Sequence, residues 1–189
     1  VMAVHRFLFG TTLVAAILIS RNLLADPADA EAGLAAFAAV SAATAAGFGL
    51  AVVLTPVLSP RSGTHSWITG CLVLGAAAQG LLVLEVTTWT MLVAGAALGL
   101  SSQGAKIAVD TVVQRDTADA FLGRAFALYD VLYNSALLGA AALAAVALPD
   151  SGASRALFVV LTGGYVAAAV VFHAWGARSP RAAATAPRR

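Results

Sequence analysis

A short stretch of the chain concentrates charged side chains of the kind that do chemistry. Between Lys106 and Asp130 lie seven charged residues, in a chain with only 11 basic and 9 acidic residues in total. If the first part of this stretch is helical, Gln103, Lys106, Asp110 and Gln114 share one face, because their spacings of three and four residues match the helical repeat. Charges on such a face could fasten two helices together, or could line a path for a polar substrate or a proton.

The rest of the chain is too apolar for a soluble protein. Hydrophobic residues make up 60% of the sequence and charged residues only 11%, compared with roughly 45–50% and about 25% in soluble globular domains. The mean hydropathy is +0.89. A chain of this composition has too few polar groups to cover its surface in water, so we expect it to be embedded in a lipid bilayer.

Six segments are long and apolar enough to cross a membrane as helices, which takes about 20 residues each. An α-helix satisfies every backbone N–H and C=O within its own segment, as the bilayer interior requires. The sequence therefore predicts an all-α membrane protein with six transmembrane helices in residues 1–177 and a disordered basic tail in residues 178–189. Turns are predicted at Asp26-Pro27 and in the proline- and glycine-containing residues 59–66. The predicted spans are residues 7–25, 32–58, 67–86, 90–109, 121–148 and 156–175.

The basic residues predict the orientation of these spans. If the N-terminus is cytoplasmic, nine of the 11 basic residues fall on the cytoplasmic side, and Arg21 and Arg155 fall on the other. Lysine and arginine are concentrated in cytoplasmic segments, so both termini are expected in the cytoplasm, with the protein in the cell membrane. The first segment could instead be a signal peptide cleaved near residues 28–30, but Arg21 and the charge asymmetry disfavour this. The nine are Arg6, Arg61, Lys106, Arg115, Arg124, Arg178, Arg181, Arg188 and Arg189.

In this orientation the charged stretch covers the cytoplasmic ends of the fourth and fifth helices and the loop between them. Residues 129–134 place two tyrosines, an aspartate and an asparagine on one face of the fifth helix. We expect Lys106 to pair with Asp110 or Asp130, and both carboxylates to face the bundle or a water-filled cavity. Two interpretations stay open at this point: an ion-pair latch between two helices, or a lining of the substrate or proton path.

The sequence from Gly99 to Asn134 resembles the joint between the tenth and eleventh helices of major facilitator superfamily transporters, in particular bacterial exporters of the siderophore and macrolide type. The shared features are Gln114-Arg115 and, nine residues later, Gly123-Arg124, which lead into an aromatic helix start. The sequence at 55–67 resembles a degraded copy of the short basic loop between the eighth and ninth helices of the same superfamily, without its aspartate.

The resemblance implies that the chain is the C-terminal, six-helix half of a twelve-helix transporter. Such transporters hold their substrate between the two halves and work by alternating access. We therefore expect a small-molecule substrate and a partner, either the missing N-terminal half or a second copy of the chain. The abrupt beginning of the sequence favours a fragment or a split reading frame. The implied activity is proton-coupled export of small hydrophobic or amphipathic molecules.

The resemblance also implies which residues face the substrate and which control access to it. Asp110 and Asp130 are the titratable candidates for carrying protons. The candidates for lining the substrate or proton path are Arg21, Gln79, Gln103, Lys106, Asp110, Asp130, Tyr133 and Asn134. The candidates for a cytoplasmic gate or latch are Arg61, Arg115 and Arg124.

Polar residues outside the charged stretch have simpler interpretations. Gln79 is expected to hydrogen-bond between helices or to contact a substrate. Arg21 is expected to reach toward acids at the outer surface, or to bind an anionic group of a substrate. His5 and His65 are expected at the surface and Cys71 in the packed interior. No metal-ligand spacing or nucleotide fingerprint is present in the sequence, so no metal, cofactor or nucleic acid is predicted.

Two other classes of protein also have six spans. An intramembrane serine protease would need Ser154 and His173 within hydrogen-bond reach, but the helix between them separates these residues by roughly 27 Å, so no enzyme is predicted. A membrane scaffold that binds a protein partner through its polar face is the alternative function. The Gly-x-x-x-Gly spacing of Gly95 and Gly99 is expected to serve close packing within the bundle.

Overall fold

Six α-helices make up the part of the chain that the computed structural model describes, which is the backbone of residues 1–178 and the side chains of residues 1–176. All six are long and apolar enough to cross a membrane, with mean hydropathies between 1.3 and 2.0. This confirms the predicted all-α fold with six spans. The predicted basic tail lies outside the described residues, except for residue 178, which ends the last helix. The helices are α1 (Met2–Asn22), α2 (Ala30–Ser62), α3 (Thr64–Leu84), α4 (Thr88–Asp116), α5 (Asp119–Ala147) and α6 (Arg155–Arg178).

The second helix runs through residues where a turn was predicted. The turn predicted over residues 59–66 is confirmed but is much shorter than expected, because α2 continues to Ser62 with Pro56 and Pro60 inside it and α3 begins at Thr64. The chain breaks only at Gly63, whose φ of +84° is a left-handed conformation that glycine adopts without steric cost. Each proline removes one backbone donor, but the remaining residues keep their helical hydrogen bonds, which an apolar environment strongly favours.

The fourth helix is also longer than predicted. It ends at Asp116 instead of residue 109, so that only Thr117 and Ala118 connect it to α5. The residues expected to form a charged loop are therefore helical. Nothing between Asp110 and Asp116 breaks a helix, and a basic residue in the last turn, here Arg115, interacts favourably with the helix dipole.

Side chains cap the N-termini of two helices on the predicted outer side. The carboxylate of Asp29 accepts a hydrogen bond from the backbone N–H of Ala32 at 2.9 Å and so begins α2. Thr87 and Thr90 form a reciprocal capping box at the start of α4. These caps fix where two of the apolar segments become helical, so that the turn between α3 and α4 needs only residues 85–87.

Small residues allow α2 and α4 to cross at backbone contact. A Cβ atom added at Gly99 would collide with the carbonyl oxygen of Thr44, and one added at Gly47 would collide with the carbonyl oxygen of Ala96. A Cβ at Gly95 would lie 2.9 Å from the Thr44 hydroxyl. The Gly-x-x-x-Gly spacing thus serves close packing within the bundle, as predicted, and its partner is α2.

The helices differ in how much of their surface the rest of the bundle covers. The core lies among α1, α3, α4 and α6, where Ile19, Leu72 and Tyr165 are fully buried. Eleven residues of α1 are buried. In contrast, α5 buries only Ala140 and Ala144, and α2 buries a single stripe of six residues, which packs chiefly on α4. The long helices α2 and α5 therefore each leave a broad face uncovered.

Candidate functional site

Lys106 and Asp110 form an ion pair one helical turn apart on α4. The Nζ atom of Lys106 lies 2.6 Å from Oδ2 of Asp110, and the two side chains are 31% and 25% exposed. This confirms the prediction that Lys106 contacts one of the two aspartates. The other carboxylate oxygen of Asp110 is buried without a hydrogen-bond partner, so Asp110 has capacity to accept a further donor.

Two tyrosines of α5 place aromatic faces next to this pair. The rings of Tyr129 and Tyr133 stack with their centroids 5.8 Å apart. Lys106 Nζ lies 5.6 Å from the centroid of the Tyr129 ring and 6.0 Å from that of Tyr133. Arg6, on α1, places its guanidinium carbon 4.5 Å from the Tyr133 centroid. We call these residues, Arg6, Lys106, Asp110, Tyr129 and Tyr133, the polar cluster. Its cation–π contacts join α1 and α4 to α5, and its ion pair lies within α4.

Asp130 and Asn134 lie on a different face of α5 from the two tyrosines. Both are exposed, and the Asn134 side-chain amide donates to the backbone carbonyl of Asp130 at 2.9 Å. Asp130 therefore does not face the interior of this six-helix bundle, and its predicted alternative surroundings, a water-filled cavity, stay a prediction. Tyr129 and Tyr133 occupy the side of α5 that meets α1 and α4, and the next residue along a helix is rotated by about 100° from its neighbour.

The remaining path candidates do not join the polar cluster. Gln79 is fully buried, and its amide donates to the Thr12 hydroxyl at 2.5 Å, which links α3 to α1 as one of the two interpretations predicted. Gln103 is half-buried on α4. Arg21 is exposed in the last turn of α1, and 15 residues of helix place it about 22 Å from the level of Arg6.

The three candidates for a gate are exposed at the predicted cytoplasmic end. Arg61 lies in the last turn of α2 and Arg124 in the early part of α5. Arg115 pairs with its neighbour Asp116, with 2.9 Å between Nε and Oδ1. Among the described residues this ion pair lies within α4.

A cavity of about 320 Å³ lies between α1, α2 and α4. Arg6 is its charged residue, and none of the eight predicted path residues lines it. In the sequence, Arg6 was interpreted only as one of the cytoplasmic cations that set the orientation. The sequence signal for a position inside the bundle was that Arg6 lies among apolar residues, which continue α1 back to Met2. The cavity is lined by Arg6, Phe9, Thr12, Leu13, Ala16, Phe37, Val40, Ser41, Thr44, Phe48, Leu82, Met91, Ala94, Gly95 and Leu98.

A second cavity, of about 670 Å³, opens at the predicted cytoplasmic end of the bundle. Arg115, Tyr129 and Tyr133 line it, so the polar cluster lies between this opening and the first cavity. His65 also lines it, with its ring stacked on Phe172 at a centroid distance of 4.4 Å. His65 is half-buried rather than exposed, so its predicted surface position is correct only in part.

His5 is buried, and its predicted surface position is wrong. Its Nε2 atom lies 2.9 Å from the Ser101 hydroxyl, which donates to the carbonyl of Cys71 at 2.6 Å. The His5 ring also meets Tyr165 edge to face, with centroids 5.2 Å apart. Because α1 begins at Met2 and not at residue 7, His5 lies one turn inside the packed helix. Cys71 is buried in the packing, as predicted.

Comparison with known proteins gives two informative relatives. The chain is 32% identical over 176 residues to an uncharacterized MFS-type transporter of Mycobacterium tuberculosis, and equally to one of Mycobacterium bovis. No protein-family model matches the chain. No solved structure matches it either.

The extent of these matches bears on what the chain represents. The aligned region covers 91% of this chain but only 38% of each relative. Together with the six apolar helices, the similarity shows a multi-pass membrane protein. The chain is homologous, over nearly its whole length, to part of a transporter of the major facilitator type.

Proposed function

We propose that the chain is the C-terminal six-helix half of a secondary active transporter of the major facilitator superfamily. In the cell membrane, with both termini cytoplasmic, it exports small hydrophobic or amphipathic molecules in exchange for protons. It works together with a second six-helix half, supplied by the same polypeptide, by a separate subunit or by another copy. The similarity to two MFS-type transporters that are more than twice its length carries this proposal.

The uncovered faces of α2 and α5 support a partner of this kind. Alternating access requires two halves that rock against each other around a site between them. The two helices that this half leaves most exposed are among its longest, with 33 and 29 residues. A second half packed along them would bury these faces and enclose the site.

Exposed polar groups on α5 support the same proposal. An aspartate near the bilayer centre costs about 2.5–3.5 kcal/mol on insertion scales, less toward the surface. Asp130 and Asn134 are exposed in a span of 29 residues. A second half, or the water-filled path between two halves, would give these groups polar surroundings. Asp130 would then face the transport path in the complete transporter.

The proton coupling is assigned to Asp110 and Asp130. Asp110 is paired with Lys106 at 2.6 Å, so that protonation of the carboxylate would break the ion pair and release Lys106. Asp130 lies on the uncovered face, within reach of a second half. A pair that opens on protonation gives a simple physical link between a proton and the packing of α4 against α5.

The test is transport in inverted membrane vesicles. The full reading frame that includes this chain, or the chain coexpressed with an adjacent six-span frame, should accumulate hydrophobic dyes when respiration generates a proton gradient. A protonophore should abolish this accumulation, and the chain expressed alone should show none. Proton-driven flux by the chain alone would overturn the half-transporter proposal. Absence of flux from every combination, with the chain bound to another membrane protein, would favour the scaffold function.

A further inference from the structure

Arg6 is a cation without a carboxylate partner among the described residues. The ion pairs in that part of the chain are Lys106 with Asp110 and Arg115 with Asp116. Arg6 instead lies over aromatic rings, 4.5 Å from the Tyr133 centroid and 5.9 Å from that of Phe9. Its Nε atom is buried and has no hydrogen-bond acceptor. The polar cluster therefore holds two cations and one carboxylate, a net charge of +1.

The surroundings of Arg6 leave its charge only weakly compensated. Arg6 is half-buried; burial of a charge without a counter-ion is costly, and a cation–π contact offsets only part of that cost. A guanidinium carries five N–H donors in a planar fork that matches the two oxygens of a carboxylate. An anionic group would supply both the missing charge and the missing hydrogen-bond acceptors.

The rest of the cavity beside Arg6 offers an apolar surface. Its lining is mostly aliphatic and aromatic. The hydroxyls of Thr12 and Thr44 are engaged with backbone carbonyls of their own helices, at 3.1 and 2.9 Å. Ser41 is the remaining hydroxyl in the lining. The cavity thus has one strong polar attachment point, at Arg6, and otherwise favours hydrocarbon.

The shape of the cavity places the charge at one end. Along α1 its lining runs from Arg6 to Ala16, which is about 15 Å of helix. Leu82, at the end of α3, and Met91, at the start of α4, mark the far end. The volume of about 320 Å³ lies at the lower limit of ligand pockets, which begin at about 300 Å³.

We propose that this cavity binds an amphipathic anion, with its carboxylate or similar head group on Arg6 and its apolar body extended toward Leu82 and Met91. This deepens the proposed function by assigning the class of substrate. Arg6 is the residue that selects for negative charge. The two tyrosines and Lys106 surround the head group from the side of the cytoplasmic opening.

The experiment measures binding to the full chain in nanodiscs of zwitterionic lipid. The probe is dansyl-labelled undecanoic acid, compared with its uncharged primary amide and with the corresponding amine, after subtraction of the signal from empty nanodiscs. A hydrogen-bonded charge contributes about 1.5–3 kcal/mol, so the acid should bind about 10- to 100-fold more tightly than the amide, and the amine more weakly still.

Variants of two arginines identify the responsible group. Arg6→Gln should remove the preference for the acid over the amide, and Arg6→Lys should keep part of it, because lysine retains the charge but not the fork. Arg155→Gln, at an exposed position at the start of α6, should leave the preference unchanged. Equal binding of acid and amide by the unmodified chain would overturn the inference, as would equal losses in Arg6→Gln and Arg155→Gln. If Arg6→Gln fails to fold, the head-group series on the unmodified chain decides alone.

The binding and transport experiments distinguish failure of the proposed ligand class from failure of the proposed transport function. Selective binding of the acid without flux from any full-length form would leave the ligand class standing and refute the transporter proposal. Flux of neutral dyes, with no preference for the acid in binding, would support the transporter proposal and refute the proposed class of ligand.

Discussion

The ion pair of Lys106 and Asp110 should stabilise the packing of α4 against α5. Both side chains are more than two-thirds buried. Removal of one partner therefore leaves the other as a partly buried, uncompensated charge, which destabilises the protein more than an exposed lone charge would. We expect Asp110→Ala to lower the free energy of unfolding by about 1.5–3 kcal/mol, the range for a hydrogen bond to a charged group. Chemical unfolding of the chain in bicelles, followed by tryptophan fluorescence, measures this.

A double-mutant cycle separates the pair from its surroundings. Lys106→Ala combined with Asp110→Ala should cost less than the sum of the single changes, because each single variant leaves a lone charge and the double variant leaves none. Arg115→Ala is the matched control: it removes the ion pair with Asp116 from a side chain that is 64% exposed, and should cost less than about 1 kcal/mol. Additive losses from the pair would show that the two side chains act independently.

Ser101, on α4, should be important for stability because its hydroxyl links a group on α1 to a group on α3 in the core. Its hydroxyl donates to the Cys71 carbonyl and accepts from the His5 ring. We expect Ser101→Ala to destabilise the chain by about 1–3 kcal/mol, since it leaves a buried ring nitrogen without its partner. The adjacent Ser102 is also buried, so Ser102→Ala in the same unfolding assay is the control. An equal loss of stability in both variants would show that the loss comes from the smaller side-chain volume and not from the broken hydrogen bond between Ser101 and His5.

These residues show which parts of the site the sequence could predict. The pairing of Lys106 with Asp110 follows from a spacing of four residues on one helix, which is local information. The burial of His5 depends on Ser101 of α4 and Tyr165 of α6, which are far away in sequence. The role of Arg6 depends likewise on packing between separate helices. Spacing along one segment contains no information about either.

At the scale of the helices, the crossing of α2 and α4 should depend on Gly47. A Cβ at this position would collide with the carbonyl oxygen of Ala96, whereas a Cβ at Gly49, two residues further along α2, would meet nothing within 4 Å. We expect Gly47→Ala to cost about 1–3 kcal/mol, because the two backbones must separate. Gly49→Ala should be neutral or stabilising by up to about 1 kcal/mol, because alanine favours the helix.

Thermal unfolding in nanodiscs compares these two variants directly. A Gly47→Ala variant as stable as the Gly49→Ala variant would contradict the close crossing. Cross-linking between cysteines placed on α2 and α4 gives a second measurement, since a wider crossing should lower its yield in Gly47→Ala alone.

The sequence predicts helices better than it predicts where they end. Six apolar segments give six helices, because each length of about 20 apolar residues has one low-energy form in lipid. The ends of α2 and α4 were misplaced, since Pro60 and the charged residues up to Asp116 were interpreted as loop. Beyond the hydrocarbon, charged residues do not oppose helix formation, so a helix extends there without any signal in the hydropathy that would mark its end.

At the scale of the whole molecule, one pair of helix contacts is repeated between the two halves of the chain. α2 packs chiefly on α4, and α5 packs chiefly on α1. Exchange of the first three helices with the last three turns one of these contacts into the other. The remaining contacts do not repeat, because α4 packs closely on α3 whereas α1 meets α6 over a much smaller area. The uncovered faces of α2 and α5 therefore each belong to a long helix that packs mainly on one neighbour.

The orientation of the six spans is the prediction that belongs to this scale. In a background in which Cys71 is replaced by alanine, single cysteines are placed in the connections as Ala28→Cys, Ser62→Cys, Ala118→Cys and Asp150→Cys. Each substituted position is exposed. A membrane-impermeant maleimide applied to intact cells should label residues 28 and 150, because the connections after α1 and α5 lie outside. Residues 62 and 118 should react only after the membrane is permeabilised.

The pattern of labelling distinguishes an inverted bundle from an incorrect set of spans. Labelling of 62 and 118 from outside, with 28 and 150 protected, would reverse the orientation and place the polar cluster near the outer surface. The excess of lysine and arginine would then lie outside, against the rule that predicts it inside. Labelling of 28 and 62 together would show that α2 does not cross the membrane. Since α2 forms one wall of the cavity beside Arg6, that result would remove the proposed binding site as well as the topology.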